Sequence, residues 1–331
     1  MANDTYERID KILTRHERRI ANIFRTSILG LRDDLDLKTI ERLLERGDIE
    51  GALDLIMDTA RKLGSASSVA FIDSGEDTAK FLANAGVATI SFDQVNSRAV
   101  QIMRENQLRL IREFRDSQRE AIRVVMTDGV ARGLAPVEQA RRFRETIGLT
   151  QRQTAAVLNY RRLLEQAGNT ELSIADQKES LTRALRDKRG DRSVLAAIRR
   201  GKPLKAAQIT WMVGRYHERS VKYRAEVIAR TEALRAAHQG LAPAFAQAIE
   251  EGKLIATDIE QQWHSARDGR VRDSHRKLNK TKKKLGEYWQ GLHGQLRYPG
   301  DPSAPAAETI QCRCIVTRRI KRPKSQPGAT K

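Results

Sequence analysis

The sequence predicts a mainly α-helical protein: a multi-helix N-terminal and central region with long helices, followed by a small C-terminal α+β domain. Three observations carry this. Apolar residues recur at spacings of three and four through most of the chain, the period of one helix face. The stretch from Asp93 to Thr127 contains neither Gly nor Pro. Beyond Ile255 the character changes, and Gly286, Gly291, Gly294, Pro299, Gly300, Pro302 and Pro305 cluster with Trp263, Tyr288, Trp289 and Tyr298. A chain of 331 residues is long enough for about two or three domains and a sizeable core. With 40% hydrophobic residues and only 21 Gly, 8 Pro and 2 Cys, it is not collagen-like, a disulfide scaffold or disordered throughout.

Ile9, Ile12, Leu13, Ile20, Ile23, Phe24 and Ile28 form the first apolar stripe, with Gly30 as its expected stop. Leu37, Ile40, Leu43 and Leu44 form a second, ended by Gly47, and Leu53, Ile56 and Met57 begin a third. Ser65, Ser67, Ser68, Gly75, Gly86 and Ser91 supply turn chemistry across residues 64–94, around a helix expected at Thr78–Ala85. The Gly- and Pro-free run predicts a helix of about 30 residues, roughly 45 Å long. Pro136 marks the next helix start. Thr150-Gln151-Arg152-Gln153 reads as a capping box. Ser173 predicts a helix to Lys188, and after a basic break at Arg186–Arg192 helices are expected at Ser193–Arg200 and Ala206–Ala242, the last in one or two pieces with Gly240 and Pro243 near its end. Strands are expected at Ile259–Trp263 and Ile315–Ile320, with a short helix or turn at Val271–Leu278. The organisation is therefore an N-terminal helical domain over residues 1–92, assigned to protein binding; a central basic helical domain over 93–250; a C-terminal α+β domain over 251–321; and a disordered basic tail over 322–331.

Lys and Arg number 61 against 42 Asp and Glu, a net charge of +19. The excess is uneven: −3 over residues 1–100, +12 over 101–250 and +10 over 251–331. A basic surface of this size attracts nucleic acid through counterion release, and would equally face an acidic protein. Lys280, Lys282, Lys283 and Lys284 make one dense run; Arg318, Arg319, Lys321 and Arg322 make another. These are the candidate phosphate contacts, against the plainer reading of a flexible charged loop and tail. No regular aromatic interleaving points to base stacking, so sequence-specific or single-strand reading is not expected. No stretch approaches the roughly 18 apolar residues of a spanning helix, and the polar N-terminus lacks a signal-peptide core. The expectation is no membrane partner and a reducing cytosol, or a particle assembled there.

Five blocks follow one another in the last third: Ala229-Arg230-Thr231-Glu232; Trp263-His264-Ser265-Ala266; Asp268-Gly269-Arg270-Val271-Arg272-Asp273-Ser274-His275; Tyr298-Pro299-Gly300-Asp301-Pro302; and Glu308-Thr309-Ile310-Gln311-Cys312-Arg313-Cys314. In order and spacing they resemble the phage-Mu F-like minor head protein (phage head morphogenesis) family of tailed bacteriophages, over residues 220–321. Gly148-Leu149-Thr150 leading into Asn159-Tyr160-Arg161 resembles the helical region of such proteins. The resemblance implies a low-copy virion protein acting in head morphogenesis, present in the host cytoplasm during assembly and then in the capsid interior near the portal vertex. It implies the portal protein as partner, the major capsid or scaffold protein as further ones, and non-specific contact with the double-stranded DNA genome. Two positions depart from the family pattern. Lys280 follows Leu278-Asn279 where Gly is frequent, and Lys tolerates positive φ poorly. Gln311 stands where Asn is commoner and merely lengthens the amide.

His275, Cys312 and Cys314 are candidate ligands for zinc, with His264, His293 or Glu308 as a fourth. The alternative is that the cysteines are small buried hydrophobes. No other cofactor is expected. Arg230, Glu232, Trp263, Asp268 and Arg272 are read as structural motif residues. Asp268, Arg270, Arg272 and Asp273 alternate in sign and form either a polar network that fixes His275 or a solvated loop. Arg230 and Glu232 invite comparison with ADP-ribosyltransferase signatures, but residues at i and i+2 do not share a helix face, so they are expected to pin their helix to the C-terminal unit. Trp263 and Trp289 are read as core. No phosphate-cradling loop, H-E-x-x-H or G-x-S-x-G is present, so no enzyme is expected. The alternative function is a basic DNA-binding protein outside the virion; a metal-dependent nuclease or an ADP-ribosyltransferase are the enzymatic readings.

Overall fold

The first apolar stripe becomes one helix, α1 (Ala2–Asp34), with Ile9, Leu13, Ile20, Phe24 and Ile28 buried along it. The computed structural model describes residues 2–84, 97–266 and 268–321. Gly30 does not end α1. A single interior Gly costs only about 1 kcal/mol, which the buried stripe before it outweighs. The break falls at Asp36, whose carboxylate accepts from the Lys38 and Thr39 N–H groups and starts α2 (Leu37–Glu45). Asp48 caps α3 (Ile49–Asp54) through the Gly51 N–H.

α4 (Met57–Asn84) corrects the expected turn region, because Ser65, Ser67, Ser68 and Gly75 all lie inside it. Its hydroxyls bond back one turn: Ser68 to the Gly64 carbonyl at 3.2 Å, Ser74 to Ala70 and Thr78 to Ser74 at 2.8 Å. That satisfies side chains that would otherwise compete with the helix. Gly86, Ser91 and the expected start of the next helix at Asp93 lie outside the described residues. α5 (Ser97–Ala131) is the long helix, continuing past Thr127. α6 (Pro136–Arg144) begins on its proline, and α7 (Gln151–Glu165) carries the reciprocal Thr150–Gln153 capping box.

The helix expected from Ser173 to Lys188 is instead one turn, α8 (Ile174–Gln177), with 3-10 turns at Glu179–Thr182 and Lys188–Gly190. Gln177 spends its amide on the Gly168 N–H and the Leu172 carbonyl, which ties the chain into a local loop. After α9 (Asp191–Arg200), α10 (Ala206–Glu250) runs 45 residues straight through Gly240 and Pro243. Its expected end at Ala242 is corrected. Ala244, Phe245 and Ala248 beyond the proline are buried against Ala79, Leu82, Leu254 and Ile259, and that packing holds the helix where propensity would end it. Gly240 is required for a different reason: a Cβ there would lie 2.2 Å from the Phe71 carbonyl oxygen.

The C-terminal part follows as β1 (Ile259–His264), α11 (Asp273–Leu278), β2 (Lys282–Lys284), β3 (Trp289–Gln290), β4 (Gln295–Leu296), α12 (Ala306–Thr309) and β5 (Ile315–Ile320). The strands form an antiparallel sheet in the order β2-β1-β5 and a separate β3-β4 ribbon. The fold is mainly helical with a small C-terminal α+β region, as the sequence predicts.

The chain divides into two compact units. One takes Met1–Ala21, Gly64–Leu108 and Glu226–Lys331; the other takes Asn22–Leu63 and Arg109–Ala225. In the second unit, Gly148-Leu149 is gripped from several sides. Gln118 donates to the Leu149 carbonyl and accepts from the Gly148 N–H, Arg224 donates to the Gly148 carbonyl, and the His217 ring bonds the Ile147 carbonyl. Gly148 adopts φ 78° with Ile28 packed where a Cβ would stand, so no other residue fits.

Candidate functional site

Side chains alternate across a strand, so register decides which residues of the β2-β1-β5 sheet meet. Opposite Glu260 stand Lys284 on one side and Arg319 on the other; opposite Gln262 stand Lys282 and Thr317. These share the outer face. Lys282, Lys284, Arg319 and Lys321 are all exposed. Glu260 holds Lys282 at 2.8 Å and Lys321 at 2.9 Å, and those two bonds keep its carboxyl below the usual glutamate range. The far end of the same face is covered, for His264 Nε2 lies 2.8 Å from the Thr317 hydroxyl and Tyr6 packs edge-on against the His264 ring. The lysine run is therefore a paired strand and not a flexible loop.

Arg318 has the opposite parity. It lies buried with Gln261, stacked over Phe245 at 5.2 Å and donating to Gln261 Oε1, and burial pulls its guanidinium down to about 10. As a surface phosphate contact it is corrected, since the pleat turns it inward. Lys283 sits opposite Gln261 and is half-buried; Lys280 is exposed. Arg322 lies outside the described residues.

Behind the sheet, Trp263 is fully buried between Trp289 and the edge of the His275 ring, 5.4 and 5.2 Å away. The buried His275 presents Nδ1 to both sulfurs, 3.4 Å from Cys312 and 3.7 Å from Cys314. Its Nε2 lies 2.7 Å from the fully buried Glu308 Oε2, and the other oxygen of Glu308 accepts the His293 N–H at 2.7 Å. Burial works against ionisation of Glu308, yet these two donors hold its pKa below the usual range. A carboxylate at Nε2 places the ring proton there and turns the Nδ1 lone pair toward the sulfurs. The neighbouring thiol, followed by His275, pulls Cys314 below the usual thiol range, while the same neighbour and burial push Cys312 up. The three ligand-type atoms lie within 4.8 Å of one another.

The network around this cluster fixes the cysteine loop more than the histidine. Asp268 pairs with Arg313, the residue between the cysteines. Arg272 donates to the Ile310 carbonyl at 2.6 Å. Thr231 accepts the Gln311 N–H at 3.1 Å, which lets Gln311 hold its left-handed φ of 57°. Thus Thr231 ties α10 to the cysteine loop, while Arg230 pairs with Glu17 and Glu232 is buried against Arg235. Neither Thr231 nor Ser265 stands out in the sequence by residue type; Ser265 donates to the His275 carbonyl at 2.6 Å. The tight turn after Asn279 forms despite its lysine: Lys280 takes φ 65° and donates its N–H to the Trp263 carbonyl at 2.7 Å. Asp301 explains the Tyr298–Pro302 block, accepting from Arg297 and Ser303 while Gly300, at φ 80°, packs on Leu234.

The second unit holds a cleft of about 630 Å³ lined by Arg32, Arg141, Arg144, Arg161, Arg215 and Trp211. Asp33, Glu138, Glu145 and Glu218 share that lining, and most of the arginines are paired with them. It is internally neutralised and a poorer anion site than the sheet face.

Comparison with known families finds a match over part of the chain. The match is to the family model described as Phage Mu protein F like protein, over residues 188–317, and across that segment the chain is phage Mu F-like. The matched segment contains the Arg230–Glu232 block, His275 and both cysteines. No curated protein and no solved structure matches the chain. No helix among the described residues is long and apolar enough to cross a membrane.

Proposed function

We propose that the protein is a minor head protein of a tailed bacteriophage, acting at or near the portal inside the procapsid and touching the DNA genome without sequence specificity. The family match supports the role in head assembly. The observation that carries the DNA contact is the outer sheet face, where four exposed cations surround one carboxylate. Lys284 and Arg319 form no ion pair among the described residues, so their charge is available to phosphate. Such a face binds by counterion release and reads no bases. The near-neutral residues 1–92 are the segment assigned to protein partners, the portal first and the major capsid or scaffold protein after it. The separate engagement of Arg230 and Glu232 favours structural roles for both over ADP-ribosyl transfer.

Quantitative mass spectrometry of purified procapsids and DNA-filled heads tests the assignment. A low, fixed copy number in both is expected; absence from both overturns it and leaves a DNA-binding protein outside the virion. A truncation lacking residues 1–90 should fail to enter procapsids, and its normal incorporation would remove that segment from partner binding.

A further inference from the structure

We propose that His275, Cys312 and Cys314 form a binding site for a thiophilic divalent cation, zinc before others, with Glu308 orienting the histidine toward it. The geometry comes first. Zn–S bonds of about 2.3 Å and a Zn–N bond of about 2.0 Å at the tetrahedral angle separate nitrogen from sulfur by about 3.5 Å. The observed separations from Nδ1 are 3.4 and 3.7 Å. Both nitrogen–sulfur edges of such a tetrahedron are therefore already near length, and all three atoms lie within 4.8 Å of one another.

The second observation is the Glu308 carboxylate on Nε2. A metal-ligating histidine almost always gives its other ring N–H to a carboxylate or carbonyl, which fixes the tautomer. The Glu308 oxygens are spent on His275 and the His293 N–H, so it is an orienting residue and not a ligand. The third is preorganisation. Thr231, Arg272 and Asp268 hold the cysteine loop from outside the cluster, and Ser265 holds the His275 backbone. No loop must fold to assemble the ligands.

The donor set selects the ion. Two thiolates and an imidazole suit zinc and disfavour magnesium or calcium. Neither remaining histidine completes the set, for His264 Nε2 bonds the Thr317 hydroxyl and His293 is exposed. The fourth position falls to water. Binding joins α11 to the start of β5, since Ile315 follows Cys314 directly. The ion would thus brace the strand that carries Arg319.

The test uses the full chain, purified under reducing conditions without chelator. Elemental analysis should find about one zinc per chain. After stripping, added Co2+ should give the intense visible bands of a tetrahedral thiolate site with a sulfur-to-cobalt charge-transfer band, and Zn2+ should bleach both. Cys312→Ser or Cys314→Ser should abolish that band. Glu308→Gln should weaken Co2+ binding about 10- to 100-fold while leaving the saturated spectrum in place. Wild-type protein that holds no zinc and gives no charge-transfer band with excess Co2+ overturns the proposal, whatever the variants do. So does a spectrum that survives in a folded Cys314→Ser protein, which would place the ion elsewhere.

Discussion

The two faces of the β2-β1-β5 sheet are made from the same strands, yet they use arginine in opposite ways. Arg318 and Arg319 are neighbours on β5. Arg318 is buried over Phe245 with Gln261 as its hydrogen-bond partner, while Arg319 is exposed beside Glu260. One is a packing residue that happens to be charged; the other is a charge whose packing is incidental. What separates them is parity along the strand and not residue type, so a cluster of basic residues in a sequence has to be divided by register before it is read as a phosphate surface.

Substitutions can break this comparison, and the largest effect belongs to the inner face. Trp263→Ala should cost about 3–5 kcal/mol in denaturant unfolding, since it empties the space between Trp289 and His275. Arg318→Ala should cost about 1–3 kcal/mol by opening the space over Phe245 and leaving Gln261 Oε1 without its donor. Arg318→Met, which keeps the packing but leaves the same oxygen unpaired, should cost less than Arg318→Ala. Equal losses for Ala and Met would show that the charge itself is needed there. On the outer face, Arg319→Ala should change stability by no more than about 0.5 kcal/mol. Neutralising Lys282, Lys284, Arg319 and Lys321 together should flatten the salt dependence of DNA binding by about 3–4 in log–log slope. An unchanged slope would move the phosphate contact off this sheet.

Acid offers a subtler probe of both units. Burial holds His238 at about 3 and His217 at about 4, both below histidine's ordinary 6.5. The unfolded chain takes up these protons first, so stability is full above about 6.5 and falls as pH drops toward 4 and 3. Asp301 adds a lower window. Burial raises its pKa, but Arg297 and Ser303 override this and hold it at about 2, so its contribution is lost between 3.8 and 2. Urea midpoints from pH 7 to 3 should decline steadily, and His238→Phe should reduce the decline. A flat profile would mean that His238 protonates in the folded protein.

Much of this was legible in the sequence. The 3.6-residue period found the long helices, the Thr150 capping box fixed one boundary, and β5 was placed to the residue. His275 and the Cys-x-Cys pair, candidates by residue type and not by spacing, are brought together by the fold. What escaped was whatever depends on partners distant in sequence. Serines in α4 look like turn residues until their hydroxyls bond the preceding turn. Pro243 looks like a stop until Phe245 and Ala248 are packed. The lysine triplet has poor strand propensity and becomes β2 only because β1 offers it a ladder. Thr231 has no signal of its own; its role exists only once Gln311 arrives 80 residues later.

The left-handed Lys280 bears on how the molecule ages. A glycine there would relieve a backbone cost of about 1–2 kcal/mol. It would also create Asn279-Gly, the dipeptide in which the following backbone nitrogen most readily attacks the asparagine side chain and converts it to isoaspartate. Asn279 Oδ1 accepts the Ser265 N–H at 3.1 Å, beside the serine that steadies His275. A lysine in the glycine's place crowds that attack. Conformational strain at one residue is thereby exchanged for chemical durability at its neighbour, in a loop whose damage would reach the histidine directly.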